Sequence, residues 1–278
     1  MPVRADTPRS DAAGAARRSD LRPRFLSALV LAPAGLACIW FGAAPWAALV
    51  ALAAIGLACE WVALCGRPVS SVPGLALLLT VLLGLALAAS RHDIWALAAL
   101  LAGFGLVWAL SGRWPLFASG TLYIGITAVA LLWLRADAVA GLANVLFVFL
   151  VVWASDIGAY AVGRTLGGPK LAPRISPGKT WSGAIGGVLA AVLAGLAVSL
   201  DAPGDPARTA AVAAALAAVS QAGDLLESAL KRRFGRKDSG RLIPGHGGLL
   251  DRLDGVLAAA PAAALLALFL GHGVYLWR

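Results

Sequence analysis

The stretch VPGLALLLTVLLGLALAA at residues 72–89 decides the fold class, because it is long and apolar and contains no charged residue. A helix needs about 20 such residues to cross a hydrocarbon core of roughly 30 Å. Similar apolar segments lie at 25–44, 46–64, 94–111, 115–134, 138–163, 182–200, 207–228 and 253–277. The sequence therefore predicts an all-α integral membrane protein, a polytopic bundle of about nine transmembrane helices.

The composition excludes a simple soluble globule. Of the 278 residues, 60% are hydrophobic and 13% are charged, and the mean hydropathy is +0.83, whereas about a quarter of a soluble domain is usually charged. The three cysteines, Cys38, Cys59 and Cys65, are odd in number and lie in or beside apolar segments, so they form no disulfide framework. The net charge of +9 comes with no nucleic-acid recognition motif, so we expect the bilayer and anionic substrates as partners and no nucleic acid.

The distribution of basic residues predicts the orientation. With the N-terminus inside, 19 of the 23 Lys and Arg residues fall on the inner side and 4 on the outer side. Cytoplasmic loops carry this excess, so both basic loops, 164–181 and 229–252, are expected in the cytoplasm. We expect a multi-pass protein of the inner (plasma) membrane. Residues 1–24 would form a disordered cytoplasmic tail, 25–134 transmembrane scaffold helices and 135–278 the catalytic half.

Residues 228–254, SALKRRFGRKDSGRLIPGHGGLLDRLD, are far more polar than their surroundings. A solvated basic loop would explain the cations but not the glycines around His246 or the flanking carboxylates. Glycine lets the backbone approach a phosphate and turn its N–H groups toward the anion, and a histidine can donate to it. This pattern favours a phosphate site, with a plain solvated loop as the alternative.

Carboxylates flank this loop on two predicted helices. Asp251 and Asp254 stand one turn apart where the ninth segment begins. Carboxylates are costly in a bilayer and usually face a cavity or a partner. Mg2+ needs only one or two of them besides substrate phosphates and water. The alternative is a set of pairs with Arg that neutralise the helix ends. The polar face at the end of the eighth segment comprises Asp224, Glu227, Ser228 and Lys231.

The loop after the sixth segment carries a second group of polar residues, within WASDIGAYAVGRTLGGPKLAPRISPGKTWSG at 153–183. Asp156, Tyr160 and Arg164 are spaced to share one helix face. A Walker A reading fails because Pro173 stands where that motif needs glycine. Glu60 in the second segment suits a carrier's proton relay or a pairing near a helix end, and we assign it no role.

The 228–254 segment resembles the signature of the phosphatidate cytidylyltransferases, also called CDP-diacylglycerol synthases. The strings SDIGAY, VGR and SPGKTW resemble the same family, and the strong similarity covers about the last 125 residues. One departure is Ser182, where the family commonly has an acidic residue. The matching positions are Ser228, Lys231, Arg232, Lys237, Asp238, Pro244, His246, Gly247, Gly248, Asp251, Arg252 and Asp254.

The resemblance implies transfer of the cytidylyl group of CTP to phosphatidic acid, giving CDP-diacylglycerol and pyrophosphate. It implies an Mg2+ centre, with a second, monovalent cation left open, on Asp224 and Asp251, with Asp254 as a weaker ligand. Lys231 and Arg252 would join Asp224 and Asp251 as catalytic residues. Substrate binding would fall to Arg164, Ser176, Lys179, Ser228, Arg232, Lys237, Asp238, His246, Gly247 and Gly248.

Two rival functions remain open at this stage. A CTP-dependent polyprenol kinase would transfer the γ-phosphoryl group and release CDP instead of pyrophosphate. An anion carrier, suggested by Glu60 and Asp156, would show flux without nucleotide turnover, but the paired broken helices typical of carriers are not evident. A homodimer is also left open, because small residues on helix faces serve internal packing as well as association.

Overall fold

The structure is a computed structural model that describes residues 29, 32–200, 205–240, 247–271 and 273–277. In these ranges eight helices are long and apolar enough to cross a membrane, and a shorter apolar helix precedes them. The prediction of an all-α polytopic bundle is confirmed. The predicted tail at 1–24 and His246 lie outside the described residues.

The helices follow the predicted segments closely. They are α1 (Ala32–Phe41), α2 (Ala43–Leu64), α3 (Val72–Ala89), α4 (Asp93–Leu110), α5 (Pro115–Arg135), α6 (Gly141–Leu166), α7 (Trp181–Ser199), α8 (Pro206–Arg233) and α9 (Leu250–Leu270). A hairpin of two antiparallel strands, β1 (Lys170–Ala172) and β2 (Ser176–Thr180), joins α6 to α7. Sequence analysis described this hairpin only as a loop.

Three helix boundaries differ from prediction for identifiable reasons. The first apolar segment breaks at Gly42, which has a φ of +61° and lies so close to Arg135 that a Cβ would be 2.5 Å from its guanidinium. Helix α8 continues past residue 228 to Arg233, and its last turn is basic, which suits the negative end of the helix dipole. Helix α9 stops at Leu270 because Gly271 adopts a φ of +92°.

Close helix packing builds the second half of the bundle. Helices α6 and α7 contact each other at glycines, and a Cβ on Gly186 would lie 2.5 Å from Val162. Small residues at such crossings let two backbones approach closely. Helices α2, α6 and α8 finish at the end of the bundle where α7 and α9 begin, which we call the loop end. There the two basic loops touch, since Arg232 Nε donates a 3.2 Å hydrogen bond to the carbonyl of Ile175.

Candidate active site

A cavity of about 570 Å³ opens at the loop end between α6, the β-hairpin, α7 and α8. We call it the hairpin cavity. Three of the predicted substrate-binding residues, Arg164, Ser176 and Lys179, line it together with Asp224. The structure thus brings together residues from segments that are 60 positions apart in the chain. Its remaining polar lining residues are Asp156, Tyr160, Lys170, Thr180 and Gln221.

The predicted polar face of α6 forms one wall of the hairpin cavity. Asp156, Tyr160 and Arg164 all line it, as their helical spacing predicted. The guanidinium of Arg164 donates a 2.7 Å hydrogen bond to the Tyr160 hydroxyl and lies 5.8 Å from the centre of the tyrosine ring. This contact holds an exposed cation against the wall of the cavity.

The β-hairpin forms the opposite wall and presents Lys179, which makes an ion pair with Asp224 on α8. The hairpin is fixed where α7 begins, because the Thr180 hydroxyl accepts a 3.1 Å hydrogen bond from the N–H of Gly183. Ser182 donates to the carbonyl of Gly167 and lies 3.0 Å from the Thr180 hydroxyl. The serine in the place of the expected acid therefore ties the end of α6 to the hairpin.

Lys231 connects the two acidic helices. Its ammonium lies 3.1 Å from Glu227 on α8 and 2.6 Å from Asp251 on α9. Asp251 also accepts 3.0 Å hydrogen bonds from the N–H and hydroxyl of Ser239 and from the N–H of Gly248. The Gly248 N–H, which the sequence suggested for an anion, thus serves Asp251. Asp251 thus holds the described parts of the loop and pairs with the Lys231 ammonium.

Asp254 points toward α8, one turn along α9 from Asp251. It interacts electrostatically with Asp224, Glu227 and Asp156, so four carboxylates from three helices share one region. Two lysines, Lys179 and Lys231, contact this group, so its carboxyl groups outnumber the cations that pair with them. Within the described ranges, Glu227 Oε2 is buried and accepts no hydrogen bond.

The chemistry of this acidic group fits a divalent cation. Carboxylate oxygens are the hard donors that Mg2+ prefers. No three His, Cys, Asp or Glu side chains of the described residues are gathered as a ready set of metal ligands. A cation bound there would complete its shell with water and substrate oxygens, as Mg2+ at phosphate sites does.

Glu60 is the residue whose contribution sequence analysis missed. Its side chain is 4% exposed and accepts hydrogen bonds from the N–H groups of Leu249 at 2.9 Å and Leu250 at 2.8 Å. The Ser239 hydroxyl lies 3.2 Å from the same carboxylate. Gly248 packs against this pair, and a Cβ there would lie 2.8 Å from Glu60 Oε2. The available signal was a carboxylate in an otherwise apolar helix.

The other predicted site residues each have different surroundings. The Ser228 hydroxyl contacts Asp224 at 3.4 Å. Lys237 and Asp238 are exposed in the loop that follows α8. Arg252 is exposed on the face of α9 that borders a second cavity. Gly247 has a φ of +84°, which favours glycine at that position.

Comparison with known proteins identifies one family. Residues 22–270 match the model of the cytidylyltransferase family. The chain is 44% identical over 260 residues to the phosphatidate cytidylyltransferase of Brucella suis, and the matched region covers 90% of this chain and 93% of the relative. It is 46% identical over 165 residues to that of Pseudomonas aeruginosa, covering 58% and 60%. For Haemophilus influenzae the figures are 41% over 155 residues, covering 52% and 54%.

Proposed function

This chain belongs to the cytidylyltransferase family, and we propose that CTP and phosphatidate react between its hairpin cavity and its acidic group. The enzyme transfers the cytidylyl group of CTP to phosphatidate and forms CDP-diacylglycerol and pyrophosphate. One observation carries the placement: Lys179 and Asp224 meet at the wall of the hairpin cavity. A cation suited to substrate phosphates thus lies beside a carboxylate suited to a metal ion.

The hairpin cavity is suited to the triphosphate of CTP. Arg164, Lys170 and Lys179 border it, and charge-assisted hydrogen bonds from Arg and Lys to phosphate are among the stronger polar contacts. Its volume of about 570 Å³ lies within the usual range for small-molecule sites. The Lys179 side chain is 28% exposed, so it can exchange its contact with Asp224 for a substrate phosphate.

The reaction requires neutralisation and alignment of charge more than proton transfer. A phosphate oxygen of phosphatidate forms a bond to the α-phosphorus of CTP, and the bond from that phosphorus to the bridging oxygen of the β-phosphate breaks. The electron pair leaves with pyrophosphate. The attacking phosphate is already ionised near neutral pH, since its second pKa is about 6. The described residues that line the hairpin cavity include no histidine, and this does not conflict with the reaction.

The acidic group is the site we propose for Mg2+. Asp224 of this group and Asp251, one turn before Asp254 on α9, would hold the ion, with Asp254 as a further donor. Each of the first two already binds a lysine ammonium. Bound Mg2+ would stabilise negative charge on the phosphoryl oxygens during transfer. Lys231 keeps the two helices in register by contacting Glu227 and Asp251 together.

The chain is a multi-pass membrane protein. We place it in the inner (plasma) membrane with the loop end in the cytoplasm, because the two loops at that end contain 11 of the 23 Lys and Arg residues. This orientation puts the hairpin cavity on the side where CTP is available.

Lipid-dependent pyrophosphate release tests the proposal. The protein, purified in detergent, is supplied with CTP, Mg2+ and phosphatidate, and both pyrophosphate and lipid products are measured. We expect equal amounts of pyrophosphate and CDP-diacylglycerol, and none of either without phosphatidate. Release of CDP with a phosphorylated lipid would identify γ-phosphoryl transfer and contradict the proposal.

A further inference from the structure

Gln221 on α8 is the one glutamine of the chain, and it lies in the lining of the hairpin cavity. Its Nε2 atom donates a 3.0 Å hydrogen bond to the hydroxyl of Ser155 on α6 and a 3.1 Å hydrogen bond to the carbonyl of Ala184 on α7. The fit is close, because a Cβ on Gly187 of α7 would lie 2.7 Å from Nε2. One amide of α8 therefore contacts both neighbouring helices of the cavity wall.

These two contacts fix the direction in which the amide of Gln221 faces. A side-chain amide has two N–H donors on its nitrogen and an acceptor on its oxygen. The carbonyl of Ala184 can only accept, so the nitrogen and not the oxygen must lie beside it. Among the residues that the structure describes, none donates a hydrogen bond to Oε1. Oε1 is also not one of the buried polar atoms without a partner, so solvent reaches it. Gln221 thus offers the cavity an unused acceptor of fixed orientation.

Asn144 on α6 shows how a purely structural amide is arranged in this fold. It is the one asparagine of the chain. Its Nδ2 donates a 3.1 Å hydrogen bond to the carbonyl of Val274, and its Oδ1 accepts a 2.9 Å hydrogen bond from the N–H of Leu276. Both the nitrogen and the oxygen of that amide serve contacts within the protein. Gln221 differs because its nitrogen alone does so.

The place of Gln221 in the hairpin cavity indicates which part of a nucleotide meets it. Along α6 the lining extends from Asp156 to Arg164, which at 1.5 Å per residue is roughly 12 Å. Arg164 lies near the loop end of α6, whereas the amide contacts Ser155, next to Asp156. The amide therefore lies at the inner end of the lining, and the arginine suited to a triphosphate lies toward the loop end. A nucleotide with its phosphates toward the loop end presents its base to the inner end.

We propose that Gln221 recognises the cytosine base of CTP through Oε1 and so selects cytosine over uracil. This inference rests on the proposed function, because it assigns one end of that nucleotide to the inner part of the hairpin cavity. Cytosine carries an amino group that donates hydrogen bonds at the position where uracil carries a carbonyl that accepts them. A fixed acceptor pairs with the first group and repels the second. The amide cannot turn over to suit uracil without losing its hydrogen bond to Ala184.

Three triphosphates test this assignment on the wild-type protein: CTP, UTP and the triphosphate of pyrimidin-2-one riboside, which is cytidine without its 4-amino group. Pyrophosphate release with phosphatidate is measured for each of them in detergent. We expect kcat/KM to be at least tenfold lower for the amine-free analogue than for CTP, because a site that hydrogen-bonds a substrate group rejects the analogue that lacks it. UTP should be used less well than the analogue. Equal use of CTP and the analogue would overturn the proposal.

Gln221→Met should remove this discrimination, because methionine keeps the length of the side chain and has only a weak acceptor. We expect the kcat/KM values for CTP and the amine-free analogue to come within about threefold of each other. Asn144→Leu is the matched control, since it removes the other amide of the chain and should keep the wild-type ratio even if its stability falls. An unchanged ratio in Gln221→Met would overturn the proposal. So would a variant that loses only the preference for CTP over dCTP, because the amide would then bind the ribose.

Equilibrium binding separates this inference from the proposed reaction. The same three triphosphates are titrated, with Mg2+, into the detergent-purified wild-type protein. If that protein released no pyrophosphate with CTP, the proposed reaction would fail, and binding would still show whether the amino group is recognised. We expect CTP to bind at least tenfold more tightly than the amine-free analogue. Equal binding of all three, or binding of none, would overturn the assignment of Gln221.

Discussion

The carboxylate of Glu60, near the end of α2, accepts a 2.8 Å hydrogen bond from the backbone N–H of Leu250, where α9 begins. The first N–H groups of a helix have no partner within it and form the positive end of its dipole. A buried carboxylate at this place both satisfies them and complements the dipole. The first half of the chain thus fixes the start of the helix that carries Asp251 and Asp254.

Glu60→Gln should destabilise the protein and impair catalysis together. The amide keeps the size but removes the charge, so we expect the free energy of unfolding to fall by about 1–3 kcal/mol. Activity per folded molecule should fall about tenfold, because Asp251 lies in the first turn of α9 and its position depends on where that helix begins. Pyrophosphate release and thermal unfolding in detergent measure the two effects.

Asp93→Asn is the matched control, because it removes the charge of another carboxylate at the start of a helix, in the first turn of α4, and Asp93 does not line the hairpin cavity. We expect it to cost less than about 1 kcal/mol and to leave turnover near the wild-type value. Similar losses of activity in both variants would mean that Glu60 contributes to general folding alone.

Lys231→Met should lower stability more than a typical surface substitution. Lys231 and Glu227 have side-chain exposures of 11% and 1%, and removing one partner of a buried ion pair costs about 3–5 kcal/mol. Lys237→Met, at an exposed position in the following loop, should change stability by no more than about 0.5 kcal/mol. Thermal unfolding without nucleotide or Mg2+ compares the two, and equal unfolding temperatures would contradict the bridging role of Lys231.

Lys179→Met should act on substrate binding while leaving stability almost unchanged. Its ion pair with Asp224 is partly exposed, and such pairs contribute about 0–1 kcal/mol. We expect KM for CTP to rise at least tenfold, because the substitution removes a charge-assisted contact to phosphate that contributes about 1.5–3 kcal/mol. Arg208→Met, in the first turn of α8 at the opposite end of the bundle, is the control. An unchanged KM in Lys179→Met would remove this lysine from the nucleotide site.

Cysteine labelling should place the loop end in the cytoplasm. After the three native cysteines are replaced, we expect Arg174→Cys and Arg236→Cys to react with an impermeant maleimide only in inverted vesicles. Arg91→Cys, between α3 and α4, should react in intact spheroplasts. All three positions are exposed. Labelling of residue 174 or 236 from outside would reverse the topology.

Local sequence was sufficient to predict the membrane helices but not the contacts between distant segments. Residues 72–89 were predicted as a helix and form α3. A helix is the structure in which a single apolar stretch of that length forms its backbone hydrogen bonds internally within a bilayer. The contact of Glu60 with Leu250 joins positions 190 residues apart. No local periodicity encodes such a contact, so Glu60 stood out only as a misplaced charge.

The candidate site was likewise predictable in its residues but not in its pairings. Resemblance to the family pointed to Asp224, Lys179 and Asp251 separately. The structure pairs Lys179 with Asp224 and Lys231 with Asp251. The first pairing depends on how the β-hairpin folds back onto α8, and the second on how α9 packs against α8.

Pyrophosphate release by Asp224→Asn tests the central claim most directly. Asn keeps the volume of the side chain and removes the charge that would hold Mg2+, so we expect activity per folded molecule below about a hundredth of wild type across an Mg2+ titration, a loss of roughly 2.7 kcal/mol or more. Asp205→Asn, which alters the N-cap of α8 far from the site, should stay near wild type. Activity of Asp224→Asn above about a tenth of wild type, or roughly 1.4 kcal/mol of lost stabilisation, would contradict a catalytic centre at these carboxylates.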